Sequence, residues 1–227
     1  MFDNLKNNID FFIRNKTKFS RKNFVERSSL LLERNEQENL YTKDILEQCF
    51  IKGDNFKIKC LDIGCKNWFY AKGEYEFFKS FCDDVYLDGV ELDAYRLYSN
   101  FYSRYEVAKF YTKDLLNTKY IAGDLLDLDD KYDYIVWFLP FVFAEPLVYW
   151  GLPLRHFCPK KLLVHAYSLL NVGGQMLIVN QCEDEMEEQK KLLNELNIPF
   201  EYKGEVQSKY FEYRNKRYAF VVRKSYK

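Results

Sequence analysis

From Lys57 onward, short β-rich apolar runs alternate with helical stretches. That alternation is the pattern of a parallel α/β sheet. It predicts strands over Ile58–Ile63, Val85–Glu91, Tyr120–Ala122, Tyr134–Leu139 and Gln175–Asn180. Helices are expected over Glu74–Cys82, Tyr95–Leu116, Lys160–Leu170 and Asp184–Leu196. The C-terminus breaks the rhythm. Tyr202–Tyr213 and Arg217–Arg223 read as two strands joined by Arg214-Asn215-Lys216, and so short a connection permits only an antiparallel hairpin. The expected fold class is therefore α/β, a mostly parallel seven-stranded sheet with an antiparallel C-terminal hairpin.

Ahead of this pattern, residues 1–55 have a helical, mixed-charge texture. Phe11, Phe12, Phe19, Phe24, Leu30, Leu31 and Leu32 recur at irregular helical spacing, Ser20 is placed to cap a helix running through Val25 toward Glu33, and Gly53-Asp54-Asn55 reads as a turn. The expected organisation is a helical N-terminal extension over 1–55 followed by an α/β domain over 56–227. The later segments already supply helices for both faces of a parallel sheet, so the extension is expected to be surplus to the core fold. Its large apolar groups must nonetheless be covered by something.

Composition narrows the function classes. Lys plus Arg equals Asp plus Glu, 34 against 34, so no global field draws the chain to nucleic acid or to an anionic membrane. Hydrophobic residues make up 48% of the chain, the profile of a protein with a core. The longest nearly apolar run, Tyr134 to Ala144, is far short of the ~20 residues that a membrane-crossing helix needs. The N-terminus MFDNLKNNIDFFIRNK lacks the apolar core of a signal peptide, which makes a cytoplasmic location the expectation. None of Cys49, Cys60, Cys65, Cys82, Cys158 and Cys182 forms a CxxC pair, and neither His156 nor His165 stands in zinc-type spacing with them. They read as small hydrophobic thiols, and no metal is expected.

Five segments carry the chemistry. In Ile58-Lys59-Cys60-Leu61-Asp62-Ile63-Gly64-Cys65-Lys66-Asn67 an apolar strand reaches an acid and, two residues later, a glycine. Ligands of doubly wound sheets bind outside the carboxyl ends of the strands, and a glycine there lets one approach the backbone. Val85-Tyr86-Leu87-Asp88-Gly89-Val90-Glu91-Leu92-Asp93 ends the second strand in Glu91, placed to accept from two ribose hydroxyls, with Asp93 as its rival. Tyr120-Ile121-Ala122-Gly123-Asp124-Leu125 offers an acceptor for an exocyclic amine and a backbone N–H for a ring nitrogen. Tyr132-Asp133-Tyr134-Ile135-Val136-Trp137-Phe138-Leu139-Pro140-Phe141 is a buried strand running into a rigid aromatic loop. In Leu169-Leu170-Asn171-Val172-Gly173-Gly174-Gln175-Met176-Leu177-Ile178-Val179 a helix ends at a glycine pair before a strand.

In this order and spacing the segments resemble the class I S-adenosylmethionine-dependent methyltransferases, over roughly Lys57 to the C-terminus. The resemblance rests on LDIG, GVE, the GD turn, YDYIV, LLNVGG and the closing hairpin. It implies a Rossmann-like fold and S-adenosylmethionine as cofactor. Asp62, Gly64 and Cys65 would line its methionine end, and Glu91 would bind the ribose with Leu92 packed on the adenine. Asp124 and Leu125 would hold the adenine edge, and Phe138 would lie near the sulfonium. The chain departs from the family at the glycine-rich loop, where Gly64 is followed by Cys65-Lys66-Asn67-Trp68.

On the acceptor side, Trp137-Phe138-Leu139-Pro140-Phe141 contains no amide or carboxylate to hold an amine, no Pro-Cys nucleophile and no acid for aminopropyl transfer. The apolar, Pro- and Gly-bearing stretch from Ala144 to Lys160 reads as a substrate wall. Tyr149 and Trp150 are its flat contacts, and Glu145 and His156 its acid–base candidates. The alternative is a loop packed against the N-terminal helices. The expected function is S-adenosylmethionine-dependent methyl transfer to a small molecule or a protein side chain, with nucleic acid and membrane not expected as partners. A non-catalytic, cofactor-binding or regulatory relative and an RNA-modifying enzyme are the alternatives. Residues 1–50 are expected to fold over the carboxyl ends of the strands as a lid or cap, with Arg21 and Arg27 facing the cofactor carboxylate or an anionic substrate; packing on a sheet edge or on a second copy is the alternative.

Overall fold

The computed structural model describes residues 28–98 and 101–225. The expected helix from Ser20, Arg21 and Arg27, and the apolar groups Phe11, Phe12, Phe19 and Phe24, lie outside the described residues.

Seven strands form one sheet in the order β3-β2-β1-β4-β5-β7-β6. The strands are β1 (Lys57–Ile63), β2 (Asp84–Glu91), β3 (Thr118–Ala122), β4 (Tyr132–Phe138), β5 (Leu170–Gln181), β6 (Phe200–Val206) and β7 (Arg217–Arg223). The first five pair in parallel, and β7 runs antiparallel between β5 and β6. The expected Rossmann-like sheet with its antiparallel end is thus the observed fold. Between the strands lie α1 (Ser28–Cys49), α2 (Ala71–Lys79), α3 (Arg104–Thr112), α4 (Ala144–Tyr149), α5 (Pro159–Leu169) and α6 (Cys182–Glu195).

The central strands are apolar on both sides, and alternation sends their residues to two cores. In β5, Leu177 and Val179 join one core with Phe77 and Phe78 of α2, while Met176 and Ile178 join the other with Leu163 of α5 and Leu192 and Leu193 of α6. Helix α1 belongs to the first core. Tyr41, Ile45, Leu46 and Cys49, with Phe50 just beyond, are buried there, so this part of the N-terminal segment is integral to the fold rather than surplus to it. The periodicity had no way to say so, because which helix covers which face depends on the crossover geometry.

Several boundaries differ from the expected ones: β5 starts at Leu170 and runs through Gly173-Gly174 instead of starting at Gln175, and α2 starts and ends three residues early. The helix expected from Tyr95 starts only at Arg104, where Ser103 accepts from the Glu106 N–H and Glu106 accepts from the Ser103 N–H. This reciprocal capping box stands in the sequence as Ser103-Arg104-Tyr105-Glu106 and marks the true start. The sixth strand ends at Val206 instead of Tyr213. The following residues turn back to α1, where the Tyr213 ring meets the Tyr41 ring edge-on at 5.0 Å. Within Ala144 to Lys160, α4 and a short 3₁₀ turn at Leu154–His156 replace a continuous loop. Among the described residues, no helix is long and apolar enough to cross a membrane.

Candidate functional site

The parallel register brings the carboxyl ends of four strands to one edge. Asp62 of β1 lies beside Gly89 of β2 and Val136 of β4, and Glu91 of β2 lies beside Ala122 of β3. The loop after β1 is tied to this edge, since the Gly64 N–H donates to the Val90 carbonyl at 2.8 Å. A cavity of about 930 Å³ opens there, near the upper end of the roughly 300–1,000 Å³ usual for small-molecule sites.

The loop keeps the backbone of a glycine-rich turn without the glycines. Gly64, Lys66 and Trp68 all have positive φ, at 72°, 56° and 47°. For the two non-glycine residues this conformation costs roughly 1–2 kcal/mol each. Tertiary contacts hold them in place. Trp68 is fully buried and its Nε1 donates to Glu74 at 2.8 Å. Its ring fills the space where a side chain at Gly89 would stand: a Cβ there would lie 2.8 Å from the indole. The Lys66 N–H donates to Glu91 Oε2 at 2.9 Å, and Tyr120 donates to the Lys66 carbonyl. A Cβ on Gly64 would meet nothing within 4 Å, and neither would one on Gly123. The backbone at both points is open to a ligand.

Glu91 is the most engaged acid of the edge. Besides Lys66, its Oε1 accepts from the Asp93 N–H at 2.8 Å and from Arg104 Nη1 at 3.2 Å. Arg104, the first residue of α3, is buried; the capping box fixes the helix start and so sets its reach. Sequence reading missed Arg104, because the overlong expected helix placed it mid-element. Asp93 pairs with Arg96 at 2.6 Å and with Arg104 at 3.6 Å. Trp150, at the end of α4, lies over this corner with its ring centroid 4.9 Å from Lys66 Nζ and 5.5 Å from the Arg104 guanidinium carbon. Burial, and then the neighbouring Arg104 charge, hold the Lys66 ammonium below its ordinary pKa.

Asp62 is fully buried and does not border the cavity. Tyr70 stands in front of it and donates to Oδ2 at 2.9 Å, while Oδ1 has no hydrogen-bond partner. Burial pushes the Asp62 carboxyl well above the usual carboxylate range, and does the same to Glu74. Phe138 borders the cavity and meets the Tyr70 ring edge-on at 5.9 Å. Leu92, Asp124 and Leu125 also border it, and Asp124 Oδ1 caps the next turn by accepting from the Leu126 N–H at 3.0 Å.

Seven of the expected cofactor residues thus stand around one edge: Asp62, Gly64, Glu91, Leu92, Asp124, Leu125 and Phe138. Cys65 is fully buried beneath the loop, away from the cavity. Of the acceptor-side residues, Trp150 and His156 border the cavity, whereas Glu145 and Tyr149 do not. Tyr149 is 94% exposed on the outer side of α4. His165 faces the Leu128 carbonyl at 3.0 Å, the satisfied helical histidine that its position suggests. The cavity runs on past β4 to the end of β5 and to α6, where Gln181, Glu185 and Gln189 border it; nothing in the sequence pattern marked these three.

The residues present fit an S-adenosylmethionine-shaped group. There is an open glycine backbone, an acid at the end of β2 and a second acid past β3.

No protein-family model matches the chain, and no curated protein matches it by sequence. Solved structures do match. A SAM-dependent methyltransferase from Aquifex aeolicus aligns with 81% of this chain and 89% of its own, at 13% identity and a TM-score of 0.52. Magnesium protoporphyrin IX methyltransferase from Synechocystis, solved with bound SAM, covers 92% and 97%, at 11% identity and 0.52. The fibrillarin pre-rRNA processing protein of Methanococcus jannaschii covers 81% and 74%, at 14% identity and 0.51. The chain therefore has the fold of the class I S-adenosylmethionine-dependent methyltransferases.

Proposed function

We propose that this protein binds S-adenosylmethionine at the carboxyl edge of β1, β2 and β3 and transfers its methyl group to a small molecule. The observation that carries the reading is the pairing of an open left-handed Gly64 with Glu91 across the ends of β1 and β2. A ligand backbone-close at Gly64 lies within reach of that acid. Gly64 serves the methionine end, with Asp62 behind Tyr70 reached only when that ring swings aside; Glu91 serves the ribose, Leu92, Asp124 and Leu125 the adenine, and Phe138 the region of the sulfonium. Oε1 of Glu91 already accepts two hydrogen bonds, so a ribose meets chiefly the free lone pair of Oε2 unless Arg104 yields.

The sulfonium supplies an already activated methyl group, so the protein's task is to hold the acceptor in line with it and to exclude water. Trp150 suits the second role, since it covers the Glu91 corner from α4. The N-terminal extension is the proposed cap of the acceptor end, because Arg34, Asn35 and Glu38 of α1 border the cavity.

Titration calorimetry and melting of the full chain with S-adenosylhomocysteine test the cofactor reading. A ligand that binds only the native state must raise the melting temperature, by the equivalent of about 2.7 kcal/mol at a hundredfold excess over Kd. No heat and no shift at roughly millimolar ligand would sink it.

A further inference from the structure

Beyond the cofactor edge, the cavity reaches an end walled by Val142, Leu147, Leu162, Leu163 and Leu192, all apolar. One stripe of α6 interrupts this wall. Glu185 and Gln189 are four residues apart and share a face of α6, Gln181 at the end of β5 caps the helix beside them, and all three border the cavity.

This stripe is not solvated surface. Gln189 is only 2% exposed, and its Nε2 has no hydrogen-bond partner. Glu185 is buried as well and accepts from the Gln181 N–H at 3.2 Å and from Gln181 Nε2 at 3.1 Å. Burial raises its carboxyl pKa. On β5, Asn180 follows Met176 and Ile178 on the side that packs against α6, and it is fully buried with neither amide atom partnered. A buried donor left unpaired costs about 1–3 kcal/mol. Of these two amides, Gln189 borders the cavity, and its unpaired donor calls for a partner there. The charged groups at this end do not supply it. Arg155 and Lys161 are exposed at the rim, and Arg217 stacks on Tyr213 at 4.4 Å and donates to the carbonyls of Asn215 and Lys216.

We infer that this end of the cavity takes an uncharged, largely apolar molecule bearing a hydroxyl, held by Gln189 and Glu185 of α6. A hydroxyl both accepts, from the Gln189 amide, and donates, to the Glu185 carboxyl, through a single atom. The aliphatic wall accommodates the rest of the molecule. Among the described residues no cation is buried at this end: Arg217, which bears on Glu185, is half-buried and already donates to two backbone carbonyls. The inference rests on the methyltransferase reading for its meaning as the acceptor subsite, but the subsite itself is tested without turnover.

The probes are 1-naphthol and naphthalene, titrated into the full-length protein with and without S-adenosylhomocysteine, alongside Gln189→Leu and Glu185→Gln. The expected result is 1-naphthol binding about tenfold more tightly than naphthalene. Gln189→Leu should erase that difference, with S-adenosylhomocysteine affinity read in parallel as the check on folding. Equal binding of the two probes, no binding of 1-naphthol, or a difference that survives Gln189→Leu would each overturn the subsite. So would displacement of 1-naphthol by a single-stranded RNA oligonucleotide. If a variant does not fold, the comparison of the two probes on the unaltered chain still decides. Failure of S-adenosylhomocysteine to bind, with 1-naphthol discrimination intact, would remove the cofactor reading and leave the subsite standing.

Discussion

Lys66 and Trp68 illustrate how a residue can depart from a motif without the backbone doing so. Both sit in left-handed conformations, and burial of the indole against Gly89 together with the Lys66–Glu91 hydrogen bond offsets the strain. The sequence presents this loop as a loss of glycines; only the contacts of Trp68 reveal that the turn is preserved. Asp62 offers a sharper test at the same scale. Its carboxyl pKa is raised in the ligand-free protein by burial, so it keeps its proton to higher pH than an exposed aspartate. A cofactor ammonium that reaches Oδ1 favours the carboxylate instead. Binding should then expel a proton between the lower Asp62 pKa of the complex and the raised pKa of the free protein, and affinity should rise with pH across that window and level off above it. Calorimetry in buffers of different ionisation enthalpy measures the proton count. A count of zero, or one unchanged in Asp62→Asn, would show that the ammonium goes elsewhere.

At the scale of elements, the β1–α2 turn and helix α1 do different work. Gly64 faces open space, so Gly64→Ala should cost only the strain of φ 72°, about 1–2 kcal/mol of stability. The new methyl group would stand where the ligand must lie. Loss of S-adenosylhomocysteine binding in a variant whose urea midpoint falls only modestly is the expected outcome; retained affinity would place the ligand away from this turn. Ile45 of α1 has the opposite character. It is fully buried in the core shared with α2, and Ile45→Ala should cost about 2–5 kcal/mol, measured by the same urea titration. The α3 start shows how far local signals go. The Ser103–Glu106 capping box is plain in the sequence, yet a longer periodic run masked it, and with it the arginine that reaches Glu91.

For the whole molecule, helix α1 is the part of the N-terminal segment that the core depends on. Removing 1–55 strips Tyr41, Ile45, Leu46 and Phe50 from the core. At about 1.5–3 kcal/mol for each buried side chain, the loss rivals the whole 5–15 kcal/mol that holds a typical domain folded. That truncation should yield no cooperative melt. If α1 caps the acceptor end, Arg34→Ala combined with Glu38→Ala should weaken the discrimination between 1-naphthol and naphthalene; unchanged discrimination would dismiss the cap. The alternation of strand and helix, the acid and glycine at the end of β1 and the acid at the end of β2 were legible in the sequence alone, because period-two and period-3.6 patterns and strand-end residues are local signals. Three features needed the tertiary structure. Trp150 reaches back over Glu91, Arg104 occupies that acid, and α6 turns Glu185 and Gln189 toward the cavity. Each joins residues far apart in the chain, and the partner of a side chain is set by how elements pack, which no local pattern encodes.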